Sequence, residues 1–166
     1  MKAEVWLRGS LPQIPDLLQP VAHALLQARE ELELMIIGFP EEKLWHKCYE
    51  MASPAFHLQH LAGVLDRLFT YAKEENLSEE QLRYLKKEGI KNLEIKVQTL
   101  LQNFSSQIDK AIDQLKETTN YTLTKTRYLG RLKIPTTQMG LFVHAAEHTM
   151  RHIGQLLVTV NVLKYN

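Results

Sequence analysis

With 166 residues, 45% of them hydrophobic, the chain is long enough to bury one sizeable core. Its 20 lysines and arginines nearly cancel its 19 aspartates and glutamates, which argues against duplex nucleic acid as a partner. Cys48 is the one cysteine, so an internal disulfide and any thiolate-rich zinc or iron–sulfur centre are excluded.

No apolar run approaches the roughly 20 residues of a membrane span, and no membrane partner is expected. The opening MKAEVWLRGS lacks the apolar core of a signal peptide, and the expected location is the reducing cytoplasm. Residues 1–15 read as an irregular arm broken by Pro12 and Pro15, with Trp6 and Leu7 as candidates to pin it to the body. A first helix is predicted from residues 16–20 to residue 37. It carries Val21, Leu25, Ala28, Leu32 and Met35 in the three-four rhythm of a bundle helix, and Gly38-Phe39-Pro40 stops it. Residues 41–51 form a connector holding Trp45, His46 and Cys48.

Ser53-Pro54 is a strong start signal, a capping serine followed by proline in the first helical position. The second helix is predicted over residues 54–73. Leu58, Leu61, Leu65 and Leu68 form its core seam, and His57, His60, Val64, Arg67 and Tyr71 lie on the adjoining face. Ser78-Glu79-Glu80-Gln81 is a capping box that opens a short polar helix ending at Gly89. The third long helix is predicted over residues 92–118, with Val97, Leu101, Phe104, Ile108 and Ala111 as its buried stripe. Residues 118–136 read as a long polar loop with Tyr121, Arg127, Tyr128, Gly130 and Arg131, and loops of that length are often functional. Pro135-Thr136-Thr137 launches the last helix, predicted over residues 138–163. No strand pair of any strength is visible. Four long helices and one short extra predict an all-α, four-helix bundle in one domain spanning residues 1–166.

On the last helix His144, His148 and His152 recur every four residues, with Gln155 three further on, so they stand in one column. Met139, Phe142, Ala146, Thr149, Ile153, Leu156, Val160 and Leu163 recur beside them, which marks the rod as mostly buried. Buried imidazoles need partners, and a metal ion is the satisfier that the pattern favours. A His-x-x-x-His pair alone is a weak signal, since such pairs also arise on solvated faces. His57 and His60 on a separate, well-capped helix strengthen it.

These clusters contain no thiolate and no obvious carboxylate ligand. The Glu-x-x-His pairs of di-iron bundles are missing, because Glu147 is followed at i+3 by Met150. An ion held by neutral imidazoles keeps its full charge and open positions, the arrangement of a catalytic rather than a structural site. Cys48 lacks a base and reads as a buried, inert thiol. Arg67, two turns beyond His60, either reaches an anionic substrate or pairs with a bundle carboxylate. His23 and His46 have no periodic partner and read as surface or core-edge residues.

SPAFHLQHLAGVLDRLFTYA on the second helix and HAAEHTMRHIGQL on the last resemble the DinB/YfiT-like superfamily of metal-dependent enzymes, over nearly the whole chain from about residue 15 to residue 163. Its hallmark is a histidine seven residues after the helix-opening serine, with an H-x-x-x-H ending just before Gly-Gln. Here these positions are His60, His148 and His152, followed by Ile153 and then Gly154-Gln155. The resemblance implies an up-down-down-up four-helix bundle, commonly dimeric, binding zinc, nickel or another divalent ion through those three histidines. His57, Arg67, His144 and Gln155 are then candidates to support the ligands or face a substrate.

Members of known activity include transferases that use low-molecular-weight thiols and a thiol-dependent maleylpyruvate isomerase. The expected function is accordingly a metal-dependent thiol S-transferase or hydrolase acting on a small molecule, with no catalytic side chain identified. The alternative is a non-catalytic metal-binding or small-molecule-binding stress-response protein.

Overall fold

The computed structural model describes residues 2–165 of the chain. Among them lie five α-helices: α1 (Gln19–Ile36), α2 (Pro54–Ala72), α3 (Glu79–Lys87), α4 (Val97–Glu117) and α5 (Gln138–Tyr165). Strands β1 (Thr126–Leu129) and β2 (Ile134–Thr137) sit between α4 and α5. Helix α1 packs against α4 and α5, and α2 packs against the same two, so each long helix has two long neighbours. Leu25, Leu32, Leu58, Leu61, Leu65, Phe104, Ile108, Phe142, Ile153 and Leu156 fill the space between them, each at most 1% exposed. Burying one such side chain contributes about 1.5–3 kcal/mol, and these contacts hold α2 against α5. No helix among the described residues is long and apolar enough to cross a membrane.

Local chemistry starts the helices where the sequence indicates. The Ser53 hydroxyl accepts the Phe56 N–H at 3.3 Å, with Pro54 in the first turn of α2. Ser78 and Gln81 close a reciprocal capping box at the start of α3. The Thr137 hydroxyl accepts the Gly140 N–H at 3.0 Å and caps α5. At the far end of α5, Lys164 donates to the carbonyls of Met35 and Ile37, which fastens α5 to the end of α1.

Three expectations are corrected. Helix α4 starts at Val97 rather than near residue 92. The Asn92 side chain accepts the Glu94 N–H at 2.9 Å and its carbonyl accepts the Ile95 N–H, a local turn that competes with the helix. The Val97 N–H then donates to Glu41, a cap supplied from 56 residues away.

The loop expected over residues 118–136 contains an antiparallel hairpin, with Thr126 opposite Thr137 and Leu129 opposite Ile134. It carries no alternation of apolar residues because the buried position of β1 is Arg127. That guanidinium donates to the Ala72 carbonyl at 2.9 Å, beside Gln138 at 3.0 Å, and satisfies the C-terminal end of α2. In the arm, Val5 and Ile14 are the buried residues, while Trp6 and Leu7 are 61% and 58% exposed. The Val5 N–H donates to Gln27 of α1 at 2.9 Å within a single 3₁₀ turn.

Candidate metal centre

Helix α2 supplies His57 and His60, one turn apart, from the half that Ser53 and Pro54 begin. Helix α5 supplies His144, His148 and His152. Because α2 and α5 pack along each other, the two sets meet. One nitrogen from each of His60, His148 and His152 can be chosen so that all lie within 4.8 Å of one another. The ring centroids of His60 and His152, and of His148 and His152, are 4.6 Å apart. Phe56 stacks on His60 with centroids 5.3 Å apart and planes 9° from parallel, which covers one face of that imidazole.

The outer nitrogens of two of these rings are occupied. His60 Nδ1 lies 2.7 Å from Glu88 Oε2; a carboxylate only accepts, so Nδ1 carries a hydrogen, and in the neutral ring the lone pair is then on Nε2. His152 Nδ1 lies 3.0 Å from His57 Nδ1. Inside the cluster, His60 Nε2 and His148 Nε2 are 3.0 Å apart. This is close to the edge of a tetrahedron with 2.0 Å metal–nitrogen bonds, about 3.3 Å. His148 Nδ1 is buried without a hydrogen-bond partner among the described residues. Burial, reinforced by the charge of His60, pushes His57 and His152 down to about 4 and pushes His148 down as well. These three rings are therefore neutral near pH 7, the form that coordinates a cation. Donor type and spacing fit a divalent ion, and burial keeps His148 and His152 in the form that coordinates one.

The other predicted residues fall into distinct places. His57 is 4% exposed and sits behind His152 rather than among the three converging rings. His144 is exposed, with Nδ1 2.7 Å from Glu147 and its ring 5.2 Å from that of His148. His144, Glu147 and His148 form a second grouping near enough to hold an ion, but it lies on the surface and Arg151 also binds Glu147 at 2.5 Å. Gln155 is exposed, one turn beyond His152. Arg67 is buried and donates to Glu88 Oε1 at 2.6 Å, so of its two expected roles it takes the ion pair with a carboxylate. The segment of Arg127 belongs to the opposite end of α2, 12 residues beyond His60, or about 18 Å by the helical rise. Cys48 is buried, as expected.

Glu88 was not legible in the sequence. It follows the last residue of α3, and its side chain is 5% exposed between His60 and Arg67. Gly89, with φ +79°, turns the chain there, and its N–H donates to the Gln59 side chain at 2.8 Å. The only signal was a glycine ending a polar helix, and nothing periodic relates position 88 to position 60.

Three solved structures share this fold. A conserved protein from Enterococcus faecalis is 14% identical, with a TM-score of 0.72 over 90% of this chain and 98% of its own. A protein from Streptococcus pneumoniae is 14% identical, with a TM-score of 0.64 over 87% and 88%. An uncharacterized protein from Clostridium difficile 630 is 12% identical, with a TM-score of 0.62 over 87% and 94%. No curated protein matches the chain. The family model of the DinB superfamily matches residues 24–156, a span that takes in α2 and the part of α5 that carries His144, His148 and His152. The chain belongs to the DinB superfamily.

Proposed function

We propose that this chain is a divalent-metal-dependent enzyme, a thiol S-transferase or hydrolase acting on a small molecule, with His60, His148 and His152 as metal ligands. One observation carries the reading: three imidazoles from two packed helices converge with no carboxylate or thiolate among them. Such a donor set leaves the charge of an ion unneutralised. His60, His148 and His152 would hold a divalent ion, zinc or nickel, which when bound would supply Lewis-acid character toward a thiol or water. The protein's own part is orientation. Phe56 covers a face of His60, His57 backs His152, and the packing of α2 on α5 fixes the distance between the two pairs.

The exposed His144 and Glu147 border the cluster and are the groups best placed to meet a substrate. The closed ring of contacts among α1, α5, α2 and α4 supports an up-down-down-up four-helix bundle in one domain. A cytoplasmic homodimer completes the reading, and sedimentation of the untagged protein tests the dimer.

The deciding experiment is elemental analysis of protein purified without an affinity tag or chelator, followed by assay of the metal-loaded form. A model electrophile is offered with different cellular thiols, and simple esters and amides are offered with water. One ion per chain with thiol-dependent or hydrolytic turnover is expected. Stoichiometric metal with neither reaction would replace the enzyme reading by a binding module.

A further inference from the structure

We infer that Glu88 is a positioning residue that sets the tautomer of His60, and that Arg67 determines which of its oxygens does so. The inference rests on the metal reading for its purpose but not for its geometry. Glu88 stands between a donor-only group and a ring that can present either a donor or an acceptor. Arg67 Nη1 donates to Oε1 at 2.6 Å, which leaves Oε2, 2.7 Å from His60 Nδ1. An acceptor at that point admits only the tautomer with hydrogen on Nδ1 and the lone pair on Nε2. That lone pair faces His148 Nε2 across 3.0 Å. Buried hydrogen bonds of this kind orient metal-binding imidazoles and raise their basicity.

The rest of the local structure is built around this contact. Helix α3 lies close to α2 at Gly63, where an added Cβ would come within 2.3 Å of Glu88 Oε1, 2.7 Å of Arg67 Nη1 and 2.8 Å of a Tyr84 ring carbon. Tyr84 donates to the Gln59 carbonyl at 3.1 Å, and Gly89 donates to the Gln59 side chain. A nine-residue helix is thereby fastened to α2 on both sides of the position from which Glu88 reaches inward.

Glu88→Gln gives a sharp test because an amide has one accepting and one donating end. Arg67 can only donate, so it takes the amide oxygen and turns the NH2 toward His60. His60 must then accept at Nδ1, which moves its hydrogen to Nε2 and aims a donor into the cluster. The measurement is the imidazole nitrogen NMR spectrum of metal-free protein, with zinc affinity by chelator competition beside it. Expected are the Nδ1–H form of His60 in the natural protein, the Nε2–H form in Glu88→Gln, and zinc affinity lower by about 10–100-fold. Adding Arg67→Met to Glu88→Gln frees the amide to rotate, and should restore the Nδ1–H form and part of the affinity.

An Nδ1–H tautomer unchanged in Glu88→Gln overturns the inference, whatever happens to affinity, since a merely structural role would leave the tautomer alone. Gly63→Ala serves if Glu88→Gln fails to fold. Its methyl displaces Glu88 and should relax the same tautomer preference, and an unaltered His60 spectrum would again refute the idea. If the natural protein binds no zinc, the metal reading falls while the nitrogen spectra still decide the role of Glu88.

Discussion

Nδ1 of His57 and Nδ1 of His152 face each other at 3.0 Å across the contact between α2 and α5. With no ion between them, two nitrogens that close are one donor and one acceptor. With hydrogen on Nδ1 of His152, the lone pair of that ring points from Nε2. His57 is then the backing group of His152, as Glu88 is of His60. His57→Ala should therefore lower zinc affinity by about 10–100-fold without abolishing binding, measured by chelator competition. Unchanged affinity in a folded His57→Ala protein would mean that His152 is oriented by packing alone.

Substitutions of the three converging histidines should behave differently from that of His57. His60→Ala, His148→Ala and His152→Ala each remove a proposed ligand, and each should drop the metal content well below one ion per chain. The natural protein should also melt higher with excess zinc than after metal removal, and this gain should vanish in the three variants. Full metal content in His148→Ala would leave the cluster as a hydrogen-bonded histidine network.

Acid should act on both binding and stability, in the same direction. His57 and His152 lie near 4 in the folded chain, against an ordinary value of 6.5. Between those values the unfolded chain binds protons that the folded chain refuses, so stability rises with pH across that window. Metal-free protein should lose stability as pH falls from about 6.5 toward 4, and denaturant midpoints at stepped pH measure it. Coordinated metal should be released below about pH 6, since imidazole must be neutral to coordinate. Stoichiometric metal at about pH 4 would contradict ligation by histidines alone.

Arg127 offers the converse separation. It closes the C-terminal end of α2, far from His60, by donating to the Ala72 carbonyl. Arg127→Met should cost about 1–3 kcal/mol of stability, read from denaturant unfolding, while zinc affinity stays within about twofold. A large loss of affinity would show that the two ends of α2 are coupled.

The helices were legible because their signals are local. Ser53-Pro54 and the Ser78–Gln81 box act on backbone groups within three residues, and the stripes of α1, α2 and α5 repeat at the helical period. The start of α4 is not legible in the sequence because Asn92 builds its own turn and the cap of Val97 comes from Glu41, a partner no local pattern reveals. The hairpin is hidden for a related reason, since the buried residue of β1 is an arginine whose burial makes sense only beside the Ala72 carbonyl.

For the site, sequence alone determined which imidazoles are available and that His148 and His152 share a helix face, because spacing along one helix fixes direction. Tertiary structure decided everything that depends on which helices touch. The packing of α2 on α5 brings His60 to the pair on α5, separates the backing role of His57 from the converging role of His60, and leaves His144 at the surface. The docking of α3 puts Glu88 against His60 and turns Arg67 toward a carboxylate. The physical reason is range: a hydrogen bond acts over about 3 Å in space, whatever the separation along the chain, and only the packed fold determines which groups come that close.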